Sequence, residues 1–161
     1  MYDRLVTRAA ELCTDCGICC DGTLFSSVSL EAACLVTARV HRLPVLETAS
    51  ACKFELPCPA LRGVLCGIYE ERPEQCADFA CELLIRVDEG GLSFDDARDI
   101  IEATRAVRSR VTAAVGSAPW WSAHRSALEA ERTDPTWASD NAELLADLKA
   151  LEELVRVHFW G

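Results

Sequence analysis

The sequence predicts a mainly α-helical protein, with an irregular cysteine-rich half packed against C-terminal amphipathic helices. Three observations favour this fold class. All ten cysteines lie between positions 13 and 81, turn-forming glycines and prolines punctuate the same stretch, and beyond it apolar residues repeat with helical spacing. We expect a single domain of 161 residues, with a cysteine-rich part at 1–90 and a helical part at 91–161.

The first half is expected to fold as short helices and loops, with hardly any strand. Turns are predicted at Asp21-Gly22, Pro57, Pro59, Gly63 and Gly67. Pro73 occupies the first turn of a short helix that carries Cys76. Cys81 follows at about 140° around such a helix, so the two thiols can share a site only if the helix ends between them. The run from Leu83 to Val87 fits a helix better than a strand.

The second half is expected to be helical throughout. One amphipathic helix begins at Ser93, where Asp96 three residues later gives an N-terminal signal. A weaker helix from about Ser122 to Arg132 lies between Pro119 and Pro135. The last helix begins near Asp140, which forms a capping box with Glu143. Its apolar stripe contains Leu144, Leu145, Leu148, Leu151, Leu154, Val155 and His158.

Charge and hydropathy restrict the possible partners and the compartment. The formal net charge of −10 would repel a phosphate backbone, which argues against nucleic acid. The sequence has no apolar run of membrane-spanning length and its first residues contain none of signal-peptide length, so we expect a cytoplasmic protein without a membrane partner. In a reducing compartment, ten cysteines indicate metal binding or redox chemistry rather than a disulfide framework.

The first cysteine motif has the spacing of a metal-binding loop. Cys13, Cys16 and Cys19 are each separated by two residues, and Gly17 stands where a tight loop needs positive φ. The spacing matches three ligands of a bacterial iron–sulfur loop, with Cys58 before Pro59 as a fourth, but it suits zinc equally. The adjacent Cys20 points in another direction, which favours a second metal or a bridging role.

The second motif is "CPALRGVLCGIYEERPEQCADFAC", residues 58–81, and contains Cys58, Cys66, Cys76 and Cys81. We expect its thiols to converge with those of 13–20 on one site. Tyr69 and Arg72 are candidates to support the thiolates or the cofactor, and the negative charge of many thiolates should place Arg62 or Arg72 nearby. Cys34 is expected to be a buried residue outside the site, and the role of Cys52 is open. The three histidines are expected to serve packing or the polar face: His41, His124 and His158.

At these two motifs the chain resembles the YkgJ-type bacterial cysteine-cluster family, a zinc- or iron-chelating domain with the pattern Cys-x2-Cys-x2-Cys-Cys. The resemblance covers roughly residues 13–84, and one departure is Ala77, where the family commonly has arginine. It implies metal ligation by eight cysteines: Cys13, Cys16, Cys19, Cys20, Cys58, Cys66, Cys76 and Cys81.

Three classes of function agree with the sequence. The favoured one is a cysteine-ligated metal-binding protein with a structural, electron-transfer or protein-modification-related role. It would hold an iron–sulfur cluster, with [4Fe–4S] as the candidate type, or Zn²⁺, and could bind a protein or peptide partner. A metal-dependent enzyme, such as a protein N-methylase or a peptide-modifying redox enzyme, is the alternative. Against it, the sequence contains no recognisable acid/base pair or cofactor-binding loop. Metal storage or delivery is the third.

Overall fold

The computed structural model of the protein describes residues 3–49 and 51–160. It is 61% helical, which confirms the mainly α fold class. The described residues form eight α-helices: α1 Asp3–Cys16, α2 Leu35–Val40, α3 Glu74–Asp78, α4 Glu82–Asp88, α5 Phe94–Val115, α6 Trp120–Thr133, α7 Pro135–Asp140 and α8 Ala142–Val155. A π-helical turn, Arg156–Trp160, follows α8.

The chain divides into two compact units, Met1–Ala97 and Arg98–Gly161. All ten cysteines belong to the first unit, and all four tryptophans belong to the second. The single folded domain expected from the sequence stays a prediction. None of the helices in 3–49 and 51–160 has both the length and the apolar composition needed to cross a bilayer.

The first unit contains short strands that the sequence does not signal. Within the described residues, β1 Ser27–Leu30, β2 Val45–Glu47 and β3 Cys52–Glu55 form an antiparallel sheet in the order β1-β3-β2. A hairpin follows, formed by β4 Leu61–Arg62 and β5 Leu65–Cys66. Strands of two to four residues are too short to show the alternation of apolar and polar residues by which strands are recognised.

A small apolar core lies under this sheet. Phe54 is its largest fully buried side chain, 1% exposed, and Cys34 is 6% exposed. The other buried members are Leu30, Ala38, Leu43 and Ala60. The prediction that Cys34 is a buried residue is thus confirmed. Cys52, Cys58 and Cys76 pack against the edge of this core, so part of the cysteine-rich segment is anchored to it.

The helix predicted from Ser93 is confirmed as α5. Ser93 Oγ donates to Asp96 Oδ2 at 2.6 Å, and the Asp96 backbone N–H donates to Ser93 Oγ at 3.0 Å. These bonds satisfy a backbone donor that the first turn of the helix leaves unpaired. The run from Leu83 to Val87 lies in α4, as predicted.

The last helix begins close to the predicted position, but the predicted capping box of Asp140 with Glu143 is wrong. Asp140 is the final residue of α7, and α8 begins at Ala142 after Asn141, which forms no side-chain cap. The physical reason lies upstream, where the Asp134 carboxylate accepts hydrogen bonds from the backbone N–H groups of Thr136 and Trp137 and so starts a separate helix. Pro135 is the first residue of this helix, a position that needs no N–H donor.

The apolar stripe of α8 is buried as the sequence predicts. Its most buried residues are Leu145, Leu148, Leu151 and Val155. In the same unit, Arg110 donates to both carboxylate oxygens of Asp147, with its Nη2 at 2.7 Å from Oδ1. This exposed pair lowers the pKa of the Asp147 carboxyl. The helical unit therefore has a core of apolar helix residues, and none of the ten cysteines lies in it.

Replacing Ser93 with alanine should destabilise α5. Loss of the N-cap hydroxyl leaves the Asp96 N–H without its partner, which we expect to cost about 1 kcal/mol of unfolding free energy. Urea unfolding followed by far-ultraviolet circular dichroism measures this. The matched control is Ser109→Ala, an exposed position in the middle of the same helix, which should leave stability unchanged or slightly raised. Equal effects of the two substitutions would contradict the capping role.

Candidate metal centre

The end of α1 carries the first cysteine motif. Cys13 and Cys16 lie three residues apart on the last turn of the helix and so share a face. The chain then turns at Gly17, which has φ +71°. The Gly17 carbonyl accepts hydrogen bonds from the backbone N–H groups of Cys20 and Asp21, at 2.9 and 3.0 Å. This tight turn presents Cys19 and Cys20 directly after the helix, and the positive φ predicted for Gly17 is confirmed.

The β4–β5 hairpin approaches the Gly17 turn closely. A side-chain Cβ built at Gly17 would lie 2.9 Å from the carbonyl oxygen of Val64, in the hairpin turn. Close to this contact, the Cys58 backbone N–H donates to the Cys20 carbonyl oxygen at 2.7 Å. Glycine is therefore needed at position 17 both for its backbone conformation and for the space it leaves. The sequence suggests the first reason but not the second, since Val64 lies 47 residues away.

The hairpin brings two cysteines of the second motif together. Cys66 pairs with Leu61 in the two-stranded sheet, and the Leu61 N–H donates to the Cys58 carbonyl oxygen at 3.0 Å. Gly63 makes the reversal with φ +63°. Cys58 and Cys66 therefore lie near the base of one hairpin, although seven residues separate them in sequence.

The two remaining cysteines of this motif are separated by a helix break. Cys76 lies on α3, which ends at Asp78, and Cys81 is the N-cap residue of α4. This is the interruption that a shared site requires. The α4 helix packs against α1, and the rings of Phe25 and Phe79 meet edge to face at 5.0 Å. The segment before Cys81 is thereby held beside the loop that follows Cys20.

The structure brings the two cysteine-rich segments close to each other, as expected for two motifs that serve one site. Cys20 lies within electrostatic range of three thiols of the second segment: Cys58, Cys66 and Cys76. Cys19 lies within the same range of Cys81. None of the ten cysteines forms a disulfide.

Burial raises the pKa of most of these thiols. The pKa of Cys19 lies well above its ordinary value, that of Cys20 rises to about 12 and that of Cys76 to about 11. The same direction holds for Cys13, Cys58 and Cys81. Burial is the largest cause in each case, and repulsion from neighbouring cysteines adds to it. Without a cation, these thiols are therefore protonated at neutral pH.

Two side chains proposed from the sequence to support the thiolates lie beside them. The Tyr69 hydroxyl donates a hydrogen bond to the Cys13 sulfur, and the Arg72 guanidinium lowers the pKa of both Cys13 and Cys76. Arg72 Cζ stacks 3.7 Å from the centre of the Tyr69 ring, while Nη1 donates to the Tyr69 carbonyl at 2.6 Å. Within the described part of the chain, the buried Nε of Arg72 has no hydrogen-bond partner.

Further donors reach the thiols from arginine and the backbone. The Arg62 guanidinium lowers the pKa of Cys58, as do hydrogen bonds from the backbone N–H groups of Ala60 and Leu61. Backbone donors at Leu83 and Leu84 do the same for Cys81. Such donors are typical of the surroundings of metal-bound thiolates, whose charge they offset. The expectation that Arg62 or Arg72 lies close to the cysteines is confirmed.

The donor set fits zinc or iron by its chemistry. Thiolates are ligands that both metals accept, and the Arg72 Nε is a donor suited to a charged sulfur. In coordination geometry the fit is incomplete: across 3–49 and 51–160, no three or more His, Cys, Asp or Glu side chains are arranged to hold a metal ion. The thiols are therefore assembled in one region without forming a coordination shell.

Other candidate residues lie apart from this assembly or at its edge. Cys34 is buried in the apolar core, although it lies within electrostatic range of Cys76. Cys52 lies on β3, opposite Leu30 and Glu47. His41 Nε2 lies 2.9 Å from Glu71 Oε2. His124 stacks on Trp120 with ring centres 6.2 Å apart, a packing role as predicted.

Replacing Gly17 with alanine should separate the hairpin from the Gly17 turn. Positive φ costs an alanine about 1–2 kcal/mol, and the new Cβ would also collide with Val64 O. Amide hydrogen exchange of residues 58–67 should become faster. The matched control is Gly63→Ala, because Gly63 has φ +63° but no atom within 4 Å of the added Cβ. Equal exchange in the two variants would show that the close approach is unimportant.

A comparison with known proteins identifies the cysteine-rich half. No curated protein and no solved structure shows significant similarity to the chain. A family model described as "CxxCxxCC: Putative zinc- or iron-chelating domain" matches residues 12–99, which is more than half of the sequence. The matched range includes both cysteine motifs and the elements from the last turn of α1 to the first turns of α5. The chain therefore belongs to the CxxCxxCC family of zinc- or iron-chelating domains.

Proposed function

We propose that the protein is a metal-binding module in which eight cysteines hold zinc or iron, and that the bound metal stabilises the first unit. The single observation that carries the proposal is the meeting of segments 13–20 and 58–81, where Cys20 lies within electrostatic range of Cys58, Cys66 and Cys76. The proposed ligands are Cys13, Cys16, Cys19, Cys20, Cys58, Cys66, Cys76 and Cys81.

Electrostatics support a cation at this position. Grouped thiols repel one another when ionised, and burial raises the pKa of Cys20 to about 12. A divalent cation or an iron–sulfur cluster reverses this effect, because it attracts thiolates and displaces their protons. The Arg72 guanidinium and the Tyr69 hydroxyl would then offset the remaining negative charge.

The small size of the core under the sheet supports a structural role for the metal. This cluster contains six buried residues among those described, three of them no larger than cysteine: Cys34, Ala38 and Ala60. The elements around the cysteines are short, since α3 has five residues and each hairpin strand has two. A metal that joined these short elements would contribute folding free energy to the unit. A reducing compartment, which we propose is the cytoplasm, would keep the thiols available.

Metal analysis of anaerobically purified protein tests the proposal directly. We expect zinc or iron in stoichiometric amount. A brown protein with a sulfide-to-iron ratio near one would identify an iron–sulfur cluster, and a colourless protein with zinc would identify a zinc site. The control is Cys52→Ser, which removes a thiol outside the proposed ligands and should retain the metal. Reduced, folded protein without metal would contradict the proposal.

Removal of the metal should unfold the first unit selectively. After chelation, or in Cys66→Ser, we expect amide hydrogens of residues 13–84 to exchange rapidly, since hydroxyl replaces thiolate poorly as a ligand. Tryptophan fluorescence supplies an internal control, because Trp120, Trp121, Trp137 and Trp160 all lie in the second unit. Their emission and the protection of α8 should change little. Native protection of residues 13–84 without metal would contradict the structural role.

A further inference from the structure

The adjacent residues Cys19 and Cys20 have different neighbours. The Cys20 carbonyl oxygen accepts a hydrogen bond from the Cys58 backbone N–H at 2.7 Å. This bond holds Cys20 beside the segment that leads into the hairpin. Cys19 instead lies within electrostatic range of Cys16 and Cys81, on the side of α1 and α4. The pair therefore occupies the point where two groups of thiols meet.

The first group forms around the β4–β5 hairpin. Cys58 and Cys66 lie near the hairpin base, and Cys58 and Cys76 pack against the same apolar core. The backbone hydrogen bond holds Cys20 beside Cys58. All six pairs among the thiols of Cys20, Cys58, Cys66 and Cys76 lie within electrostatic range of each other. We name this group the hairpin set: Cys20, Cys58, Cys66 and Cys76.

The second group forms around α1 and α4. Cys13 and Cys16 share one face of α1, Cys19 follows in the Gly17 turn, and Cys81 caps α4, which packs against α1. Leu12, next to Cys13, is 2% exposed, and Leu83, two residues after Cys81, is 1% exposed, so both cysteines adjoin buried positions. We name this group the helix set: Cys13, Cys16, Cys19 and Cys81.

From these placements, and resting on the proposed function, we propose that the protein has two four-thiolate metal sites, one for the hairpin set and one for the helix set. Four thiolates complete the shell of a structural zinc ion and also hold an iron–sulfur cluster. Cys13, a member of the helix set, is also within electrostatic range of Cys20 and Cys66, so the two proposed sites are adjacent. This grouping replaces the tetrad of Cys13, Cys16, Cys19 and Cys58 that spacing alone suggests.

Two separate metal sites would explain why Cys19 and Cys20 are adjacent in the sequence. Neighbouring residues in a turn direct their side chains apart, so Cys19 and Cys20 fit two metals better than one. The thiols of each set must still close onto the metal, because coordination geometry is not in place among the described residues. The loops, the hairpin and the five-residue helix α3 are short elements that can adjust by small movements.

Cobalt titration of the reduced, metal-free full-length protein tests the two-site arrangement. Co²⁺ takes the place of zinc in thiolate sites, and its sulfur-to-metal charge-transfer absorption counts the bound ions. We expect the absorption of the wild-type protein to saturate at two equivalents of Co²⁺. Cys58→Ser combined with Cys76→Ser, both in the hairpin set, should leave one tight equivalent. Cys16→Ser combined with Cys81→Ser, both in the helix set, should also leave one.

The decisive variant takes one cysteine from each set. Cys16→Ser with Cys58→Ser should abolish tight binding at both sites, although it removes the same number of thiols as the other double variants. Cys52→Ser is the control and should retain two equivalents. If all three double variants lose absorption equally, or the wild type saturates at one equivalent, the two-site proposal is overturned while metal binding stands.

Other outcomes separate this proposal from the proposed function. Wild-type protein that binds no cobalt, and carries no metal when purified, overturns both. The number of Co²⁺ equivalents bound by a double variant is interpreted only when the variant retains the helical circular dichroism expected of the second unit. Where a variant does not fold, the wild-type saturation point decides between two sites and one, and native mass spectrometry provides an independent count of bound ions.

Discussion

The cost of ionising thiols that the fold buries and gathers in one region is the constraint on which the first unit depends. Burial and the nearby cysteines together raise the pKa of Cys20 to about 12, so without a metal this thiol is protonated and uncharged. The surrounding groups favour the ionised thiolate instead. Arg72, Arg62 and the Tyr69 hydroxyl each lower the pKa of a thiol, which is useful only if the sulfurs become thiolates. A bound cation resolves this opposition.

Backbone contacts explain how so short a unit gathers its thiols. The Gly17 turn, the hairpin tip at Val64 and the hydrogen bond from Cys58 to Cys20 join segments that are distant in sequence. They do so with main-chain atoms, leaving the cysteine side chains available as ligands. The apolar core also holds two of the cysteines in place, because Cys58 and Cys76 pack against its edge. Main chain and core thus position the candidate ligands, while side-chain donors adjust their charge.

Local patterns in the sequence predicted much of this architecture. Helical periodicity and the Ser93–Asp96 signal located α5, and the two-residue spacing of the first motif located the Gly17 turn. The strands could not be predicted, since pieces of two to four residues carry no period. The capping box predicted for α8 was wrong because Asp140 resembles a cap, whereas it ends the preceding helix, which is capped by Asp134. Contacts such as Gly17–Val64 and the grouping of thiols depend on tertiary structure, which spacing does not encode.

X-ray absorption spectroscopy at the edge of the bound metal decides whether cysteine sulfurs are its ligands, because it observes the ligand atoms themselves. We expect a first shell of sulfur alone, about four per metal, at about 2.3 Å if the metal is zinc. His41, the histidine of the first unit, contacts Glu71 instead. A first shell with nitrogen or oxygen ligands in place of most of the sulfur would contradict the claim that the assembled thiols form the metal centre.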